Sequence, residues 1–358
     1  MTAAAEAEPP AAGALLLREI AEQPSTLLRL LEHASEYQAV ADAAVERGVQ
    51  LVRMVGHGSS DNAASYGVYA FGLLPGWTAM RDSISLSVYY GAQADVDGSL
   101  VVALSQSGET PDVVGYVERA RQRGAFTVAI TNDTGSALAD ASEAVLPLSV
   151  GPELAVAATK TYTAQVAALA LLAASAAGRG PEFADGIRSA AADAERLVPR
   201  LERELTGIAP AFAFVGRMFV IGRGPEYATA REISLKLMET CRVAAEPLTA
   251  TDMVHGPVAA LDAFFPVWTI AARDESLPAV REAAARARAA GAAVLASGPA
   301  AGEIEDASYR IDVPEPAVPL LSPLLSVVPG QLFAWALAQA KGLDPDRPTG
   351  LSKITLAL

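Results

Sequence analysis

Two pairs of glycines constrain this chain more than any single motif. Gly56 follows an apolar run and opens a turn into a helical pattern, and Gly222 does the same 166 residues later. Gly124 closes a helical pattern ahead of another apolar run, and Gly291 repeats it at an offset of 167. Two independent landmarks at one spacing indicate an internal duplication. In the first half, apolar runs at 51–55, 100–104, 126–130 and 145–148 alternate with helical patterns at about 111–123 and 160–177. The second half gives runs at 218–221, 267–271 and 293–296, with helices at about 226–242 and 277–290. Short apolar strands alternating with helices predict an α/β fold with parallel strands, built as two doubly wound sheets whose ligands bind beyond the carboxyl ends of the strands. The stretch at about 181–209, containing Pro and Glu, reads as the linker between them.

Composition narrows the function. The 358 residues carry 27 Lys and Arg against 41 Asp and Glu, a net charge of −14. Such a surface repels phosphate backbones and anionic lipid, which argues against nucleic-acid and membrane-surface partners. Hydrophobic residues at 51% against 19% charged support a large core. A lone cysteine, Cys241, excludes an intrachain disulfide or a cysteine-based metal cluster. The N-terminus has Glu and Pro where a signal peptide needs an apolar run, and 164–178, the nearest approach to a membrane span, reads as a buried core helix. The expectation is a cytoplasmic protein.

Two loops of the first half suit an anion. Ser105-Gln106-Ser107-Gly108-Glu109-Thr110 follows an apolar strand and precedes a helix that Pro111 can open. Hydroxyls, a glycine that admits close backbone approach and a helix N-terminus make a neutral phosphate cradle. Gly58-Ser59-Ser60 offers the same chemistry at the neighbouring strand end. The competing reading is that these Ser and Thr cap their helices. The matching loop of the second copy, Arg273-Asp274-Glu275-Ser276, carries two carboxylates, so the duplication is asymmetric. Neither half has the third glycine of a dinucleotide fingerprint, and no P-loop is present.

The second half supplies acid and base. Glu232, Lys236 and Glu239 fall at i, i+4 and i+7 and share one helical face. They read either as an exposed salt-bridged stripe or as a catalytic set. Of three histidines, His255 sits in a Gly-Pro turn, His57 lies in the phosphate-side turn, and His33 falls in a helical pattern that reads as exposed.

These residues carry a family resemblance. From Arg18 to Leu351-Ser352-Lys353-Ile354 the chain resembles the sugar-isomerase (SIS) family. It is similar in particular to the double-SIS module that forms the isomerase half of glucosamine-6-phosphate synthase and to the stand-alone glucosamine-6-phosphate deaminases. Ser105–Thr110 matches the family's SQSGET loop letter for letter, and Val156-Ala157-Ala158-Thr159-Lys160 is similar to its VASTK motif, with Ala158 in place of serine. Glu232, Lys236, Glu239, His255-Gly-Pro and Lys353 match the family's acid–base set in order and spacing.

The resemblance implies two flavodoxin-like SIS sandwiches at 46–192 and 208–345, an N-terminal helical segment at 1–45 and an active-site tail at 346–358. It implies that Ser60, Ser105, Gln106, Ser107 and Thr110 hold the sugar phosphate, with Ser59 nearby, and that Val156 and Ala158 meet the sugar through backbone groups. Glu239 would shuttle a proton between carbons 1 and 2, and His255, reaching across from the partner of a homodimer, would open the sugar ring. Lys353 would contact the open-chain carbonyl end, with Lys236 and Glu232 orienting the site. No metal or cofactor is implied. About 45 residues before the first strand leave no room for a glutaminase, and Thr2 rather than cysteine follows Met1, so the expected reaction is deamination of glucosamine 6-phosphate to fructose 6-phosphate. A fructosamine-6-phosphate deglycase and a non-catalytic sugar-phosphate sensor are the alternatives; an acid–base set argues against the sensor, which needs no proton shuttle.

Overall fold

A computed structural model describes residues 11–305 and 307–353. Three helices lead in: α1 (Ala14–Ala21), α2 (Gln23–Leu31) and α3 (Ala34–Glu46). The first lobe then runs β1 (Leu51–Val55), α4 (Ser59–Leu73), β2 (Thr78–Arg81), α5 (Ile84–Val88), β3 (Leu100–Ser105), α6 (Pro111–Arg121), β4 (Phe126–Thr131), α7 (Ala137–Ala141), β5 (Ala144–Pro147) and α8 (Lys160–Ala176). After α9 (Gly180–Ile208), the second lobe follows with β6 (Arg217–Gly222), α10 (Glu226–Cys241), β7 (Ala244–Thr249), α11 (Ala250–Val254), β8 (Val267–Ile270), α12 (Leu277–Ala289), β9 (Val294–Gly298), β10 (Tyr309–Asp312) and α13 (Pro323–Ala340).

The duplication is visible in the sheets. The first has strand order β2-β1-β3-β4-β5 and the second, read from its other edge, β7-β6-β8-β9-β10. Every pairing is parallel, with Val52 opposite Leu100 in the first sheet and Phe219 opposite Val267 in the second. Both are doubly wound, with the chain reversing direction between the first and third strands of each lobe, where such folds bind ligands. The β3 and β4 side chains are all buried, as strands covered on both faces must be.

Three corrections concern the elements themselves. The expected linker at 181–209 is instead α9, a helix of 29 residues. Its buried residues Phe183, Ile187, Ala190, Ala191, Ala194, Leu197, Val198, Leu201 and Leu205 recur at three- and four-residue spacing, and that stripe outweighs the loss of one hydrogen bond at Pro199. The edge strands β2, β7 and β10 are half-exposed and carry weak apolar signals; β7 accommodates Pro247 because an edge strand has one unpaired side. Among the described residues, the helix long and apolar enough to cross a membrane is Pro319–Ala340, not 164–178, and it is almost wholly buried in the protein.

The lobes share a core. α8, α9, α10 and α13 contribute to one apolar cluster that reaches from Leu16 to Ala338 and includes α4. Gly330 lies so close to Ile233 that a Cβ there would sit 2.2 Å from Cγ1, which is how α13 packs tightly on α10. Cys241 closes α10 inside this core, donates to the Ala334 carbonyl at 3.1 Å, and burial pushes its thiol up to about 11. It is chemically inert. His33 is half-buried rather than exposed, because its ring bridges Glu36 Oε1 (2.8 Å) and Ser149 Oγ (2.9 Å).

Candidate active site

A cavity of about 560 Å³ opens at the carboxyl ends of β1 and β3. Its near wall is built by two strand-to-helix turns. In the first, Gly56 is required by space: a Cβ would meet the Leu104 carbonyl oxygen at 2.9 Å. In the second, Gly108 adopts φ +69 and a Cβ would strike Ser136 Oγ at 2.0 Å. The chain can therefore fold back over β4 only with glycine there.

The capping reading of the hydroxyls fails on geometry. Thr110 is the N-cap residue of α6 and Gly58 that of α4, and neither helix start has a side-chain cap bond. Ser60, Ser105, Gln106, Ser107 and Thr110 all line the cavity, as does Ser59. Ser105 Oγ accepts the Gly108 N–H at 3.0 Å and Ser107 Oγ the Glu109 N–H at 3.3 Å, which shapes the loop and leaves both hydroxyl protons available to a ligand. Gln165 Nε2 donates to Ser60 Oγ at 2.9 Å. In the second lobe the matching loop is closed on itself: Asp274 Oδ1 accepts from Ser276 N (2.8 Å) and Ser276 Oγ (2.5 Å), and Arg273 pairs with Glu303 and Glu315.

The far wall comes from α10, which packs along α4. Glu232 and Lys236 are fully buried and Glu239 is partly exposed at the cavity. Lys236 Nζ lies 3.3 Å from Glu232 Oε1 and 2.6 Å from Glu239 Oε2. The exposed-stripe reading is thus overturned, because α10 faces α4 rather than solvent. Ser59 Oγ donates to Glu232 Oε1 and Asn62 Nδ2 to Glu232 Oε2, both at 2.9 Å, so the charged set ties the lobes together at the cavity floor. Burial holds the Glu232 carboxyl above its ordinary pKa, with Lys236 working against it. Burial would lower the Lys236 pKa, but Glu232 and Glu239 outweigh it and hold the ammonium above its usual range.

The third wall is the segment before α8. Val156 and Ala158 line the cavity. The Val156 N–H is already donated to the Asp346 carbonyl at 3.2 Å, so only its carbonyl remains for a ligand. Glu19 accepts the Ala155 N–H at 3.2 Å, and Glu153 accepts the N–H groups of Thr159 (2.9 Å) and Thr161 (3.1 Å). Lys353 Nζ donates to Glu153 Oε2 (3.2 Å) and to the Ala155 carbonyl (2.7 Å), bringing the C-terminal segment onto the cavity. Burial raises the Glu153 pKa, but Lys353 and the Thr159 and Thr161 groups outweigh it and hold the carboxyl below its ordinary value. Lys160, in the VASTK-like motif, is structural: its buried Nζ reaches Glu22 Oε2 (2.5 Å) and the Pro152 carbonyl (2.7 Å).

One expected residue is absent from this assembly. His255 is exposed at the end of α11 and does not line the cavity of its own chain. The sequence reading missed Glu153, Gln165 and Asp112, all of which line it. Gln165 alone had a signal, as a polar residue in an Ala-rich buried helix. Ile354, the last residue of the family-like tail, and the rest of 354–358 lie outside the described residues.

Fold and cavity define a class: tandem doubly wound α/β proteins with a hydroxyl-lined ligand site at the strand-order reversal of one lobe. Comparison with known proteins narrows this. The SIS domain family model matches residues 52–175 and 212–340. The chain belongs to the SIS family and carries its domain twice. It is 34% identical over 352 residues to a glutamine–fructose-6-phosphate aminotransferase (isomerizing) of Aeropyrum pernix, covering 94% of this chain and 56% of that one. It therefore spans just over half the length of such relatives. A crystal structure from Silicibacter pomeroyi, provisionally named a phosphosugar isomerase, is 34% identical with a TM-score of 0.83, covering 93% of this chain and 99% of that one. Glucosamine-6-phosphate deaminase of Thermotoga maritima shares the fold, with a TM-score of 0.73 at 22% identity over 95% of this chain and 99% of that one.

Proposed function

We propose that the chain is a phosphosugar isomerase that deaminates glucosamine 6-phosphate, releasing ammonia and giving fructose 6-phosphate. The observation that carries this reading is the placement of Glu239, with Lys236 2.6 Å away, in the same cavity as the hydroxyl cradle. The phosphate binds Ser60, Ser105, Gln106, Ser107 and Thr110, far from the reacting carbons, and that binding orients the opened sugar. Glu239 removes the proton on carbon 2, next to the carbon 1 aldehyde, and returns a proton to carbon 1. The oxygen of carbon 1 takes up a proton and the amine on carbon 2 gives one up, leaving a carbon 1 hydroxyl and a carbon 2 imine; water adds to the imine, and ammonia leaves as the ketone forms. Lys236 and Lys353 offset the negative charge that develops on the oxygen of carbon 1. Glu232 holds Lys236 in place. No step needs a metal or cofactor.

The ring-opening acid in this scheme is His255 of the partner in a homodimer, which fits its exposure and its absence from the lining of its own cavity. A mixture of His255→Ala and Glu239→Gln chains, each inactive alone, is expected to recover about a quarter of wild-type activity after co-refolding, because one hybrid site is intact. Full activity in a monomer by light scattering would refute the shared site. Ser107→Asp places a carboxylate in the cradle against the phosphate and is expected to weaken fructose 6-phosphate binding at least about a hundredfold by calorimetry. Unchanged affinity would put the phosphate elsewhere.

One observation favours a second reading. Glu239 and Leu351 also border another cavity of about 380 Å³, lined by Arg242, Arg347 and Asp344. Arg242 holds a left-handed conformation (φ 54, ψ 38), and among the described residues neither arginine is ion-paired. Room and two guanidinium groups beside the proton shuttle suit a fructosamine 6-phosphate whose nitrogen bears an amino acid. An ammonia-release assay over a panel of phosphorylated amino sugars decides: ammonia from glucosamine 6-phosphate supports the deaminase, a free amino acid from a fructosamine 6-phosphate supports the deglycase, and binding without turnover refutes both.

A further inference from the structure

The proposed reaction leaves one pair of cavity residues unused. His57 lies in the turn between β1 and α4, and its Nε2 is 2.9 Å from Asp112 Oδ2 in the first turn of α6. The two thus join the very loops that form the cradle. Both line the cavity, and the Asp112 carboxylate is nearly buried, with Oδ1 lacking any hydrogen-bond partner.

The charge around the cavity leaves the hydroxyl cradle without a cation of its own. Every other group of the cradle is neutral: serine and threonine hydroxyls, a glutamine amide and backbone N–H. The charged groups facing or flooring the cavity are Asp112 from α6, Glu239 and Glu232 with Lys236 from α10, Glu153 before α8 and Lys353 from the tail. That is four carboxylates against two ammonium groups, and both ammonium groups are already committed to carboxylates at the sugar end. On α4, Asp61 is matched by Arg81 and Arg231. With a neutral His57, a dianionic monoester would enter a site of net negative charge in a chain of charge −14.

We propose that His57 is the cation of the phosphate cradle and is charged by the ligand it holds. As a phosphate monoester enters, His57 takes one proton from solvent. One N–H stays on Asp112, which fixes the ring, and the other N–H serves the phosphate. Asp112, 2.9 Å from Nε2, holds the ring in place for that contact. The inference rests on the reading of the two loops as a phosphate site and adds to it the source of its charge. His57 is a binding residue in this account, not a participant in proton transfer at carbons 1 and 2.

The test is calorimetric titration of the full chain with fructose 6-phosphate at pH 7.0 and 8.5, each in two buffers of different ionisation enthalpy. Both values lie above the second phosphate ionisation at about 6, so the ligand itself takes up little proton. Wild type is expected to take up a proton on binding and to lose about tenfold in affinity across that interval, since the histidine must be charged against a rising pH. His57→Gln is expected to bind about tenfold more weakly at pH 7.0, with no uptake and a flat pH response. His57→Arg supplies a permanent charge and is expected to hold its affinity at pH 8.5, also without uptake. Wild-type binding with no proton uptake overturns the inference whatever the variants do, and so does unchanged affinity and uptake in a folded His57→Gln. No binding by wild type at either pH overturns the phosphosugar reading itself, a result distinct from both.

Discussion

Glu239→Gln is expected to reduce turnover of glucosamine 6-phosphate by about a thousandfold or more while leaving the dissociation constant for fructose 6-phosphate within about threefold. The amide keeps the size and shape of the carboxyl, so the α10 face and its contact with Lys236 are disturbed little. What it removes is the ability to accept a proton, and the proposed isomerisation passes its proton through this one group. Binding is expected to survive because the hydroxyls that hold the phosphate come from the other lobe, on the turns after β1 and β3. Steady-state rates of ammonia release and a calorimetric titration of the same preparation separate the two quantities. Turnover that survives would assign the shuttle elsewhere. Joint loss of binding and turnover, with a lowered melting temperature, would make Glu239 structural. An additional measurement tests the chemistry directly: wild type is expected to exchange the carbon 1 hydrogen of fructose 6-phosphate with deuterated solvent, and Glu239→Gln is not.

Much of this arrangement was legible in the sequence because it depends on local chemistry. Buried parallel strands must be continuous apolar runs, so β1, β3, β4, β6, β8 and β9 stand out, and the glycine offsets reveal the repeated strand order. The cradle was legible because glycine at 108 and hydroxyls at 105, 107 and 110 serve one turn. What was not legible depends on partners remote in sequence. Edge strands such as β2 bury little, so their side chains carry no strong pattern. α9 was hidden by Pro199, because a proline reads as a break unless a buried stripe on both sides of it is recognised. Glu153 is an ordinary acidic residue until Lys353, 200 positions on, closes over it. The stripe of Glu232, Lys236 and Glu239 has the same spacing whether it faces water or a second lobe. Only the packing of α10 on α4 decides, and it decides for burial.

That burial makes Lys236 a residue whose loss is costly to stability. Lys236→Met is expected to lower the unfolding free energy by about 3–5 kcal/mol at pH 7, read from denaturant unfolding, because it leaves the fully buried Glu232 carboxylate without its cation. The double variant Lys236→Met with Glu232→Gln is expected to recover most of that loss. A glutamine at 232 can accept from Asn62 Nδ2 through its carbonyl and donate to Ser59 Oγ through its amide, so the link between α4 and α10 persists without a buried charge. The pH response gives a further check with a definite sign. Burial already raises the Glu232 carboxyl, and Lys236 opposes that rise. Without Lys236 the folded-state value climbs further above the unfolded one, so the folded chain holds this proton more tightly. Stability of the single variant relative to wild type is therefore expected to improve as the pH falls from neutrality toward the ordinary carboxylate range, and to worsen as the pH rises through the raised value. The double variant lacks the titrating group and is expected to show no such trend. A single variant as stable as wild type, or a double variant as unstable as the single, would mean that the Glu232–Lys236 pair does not hold the lobes together at the floor of the cavity.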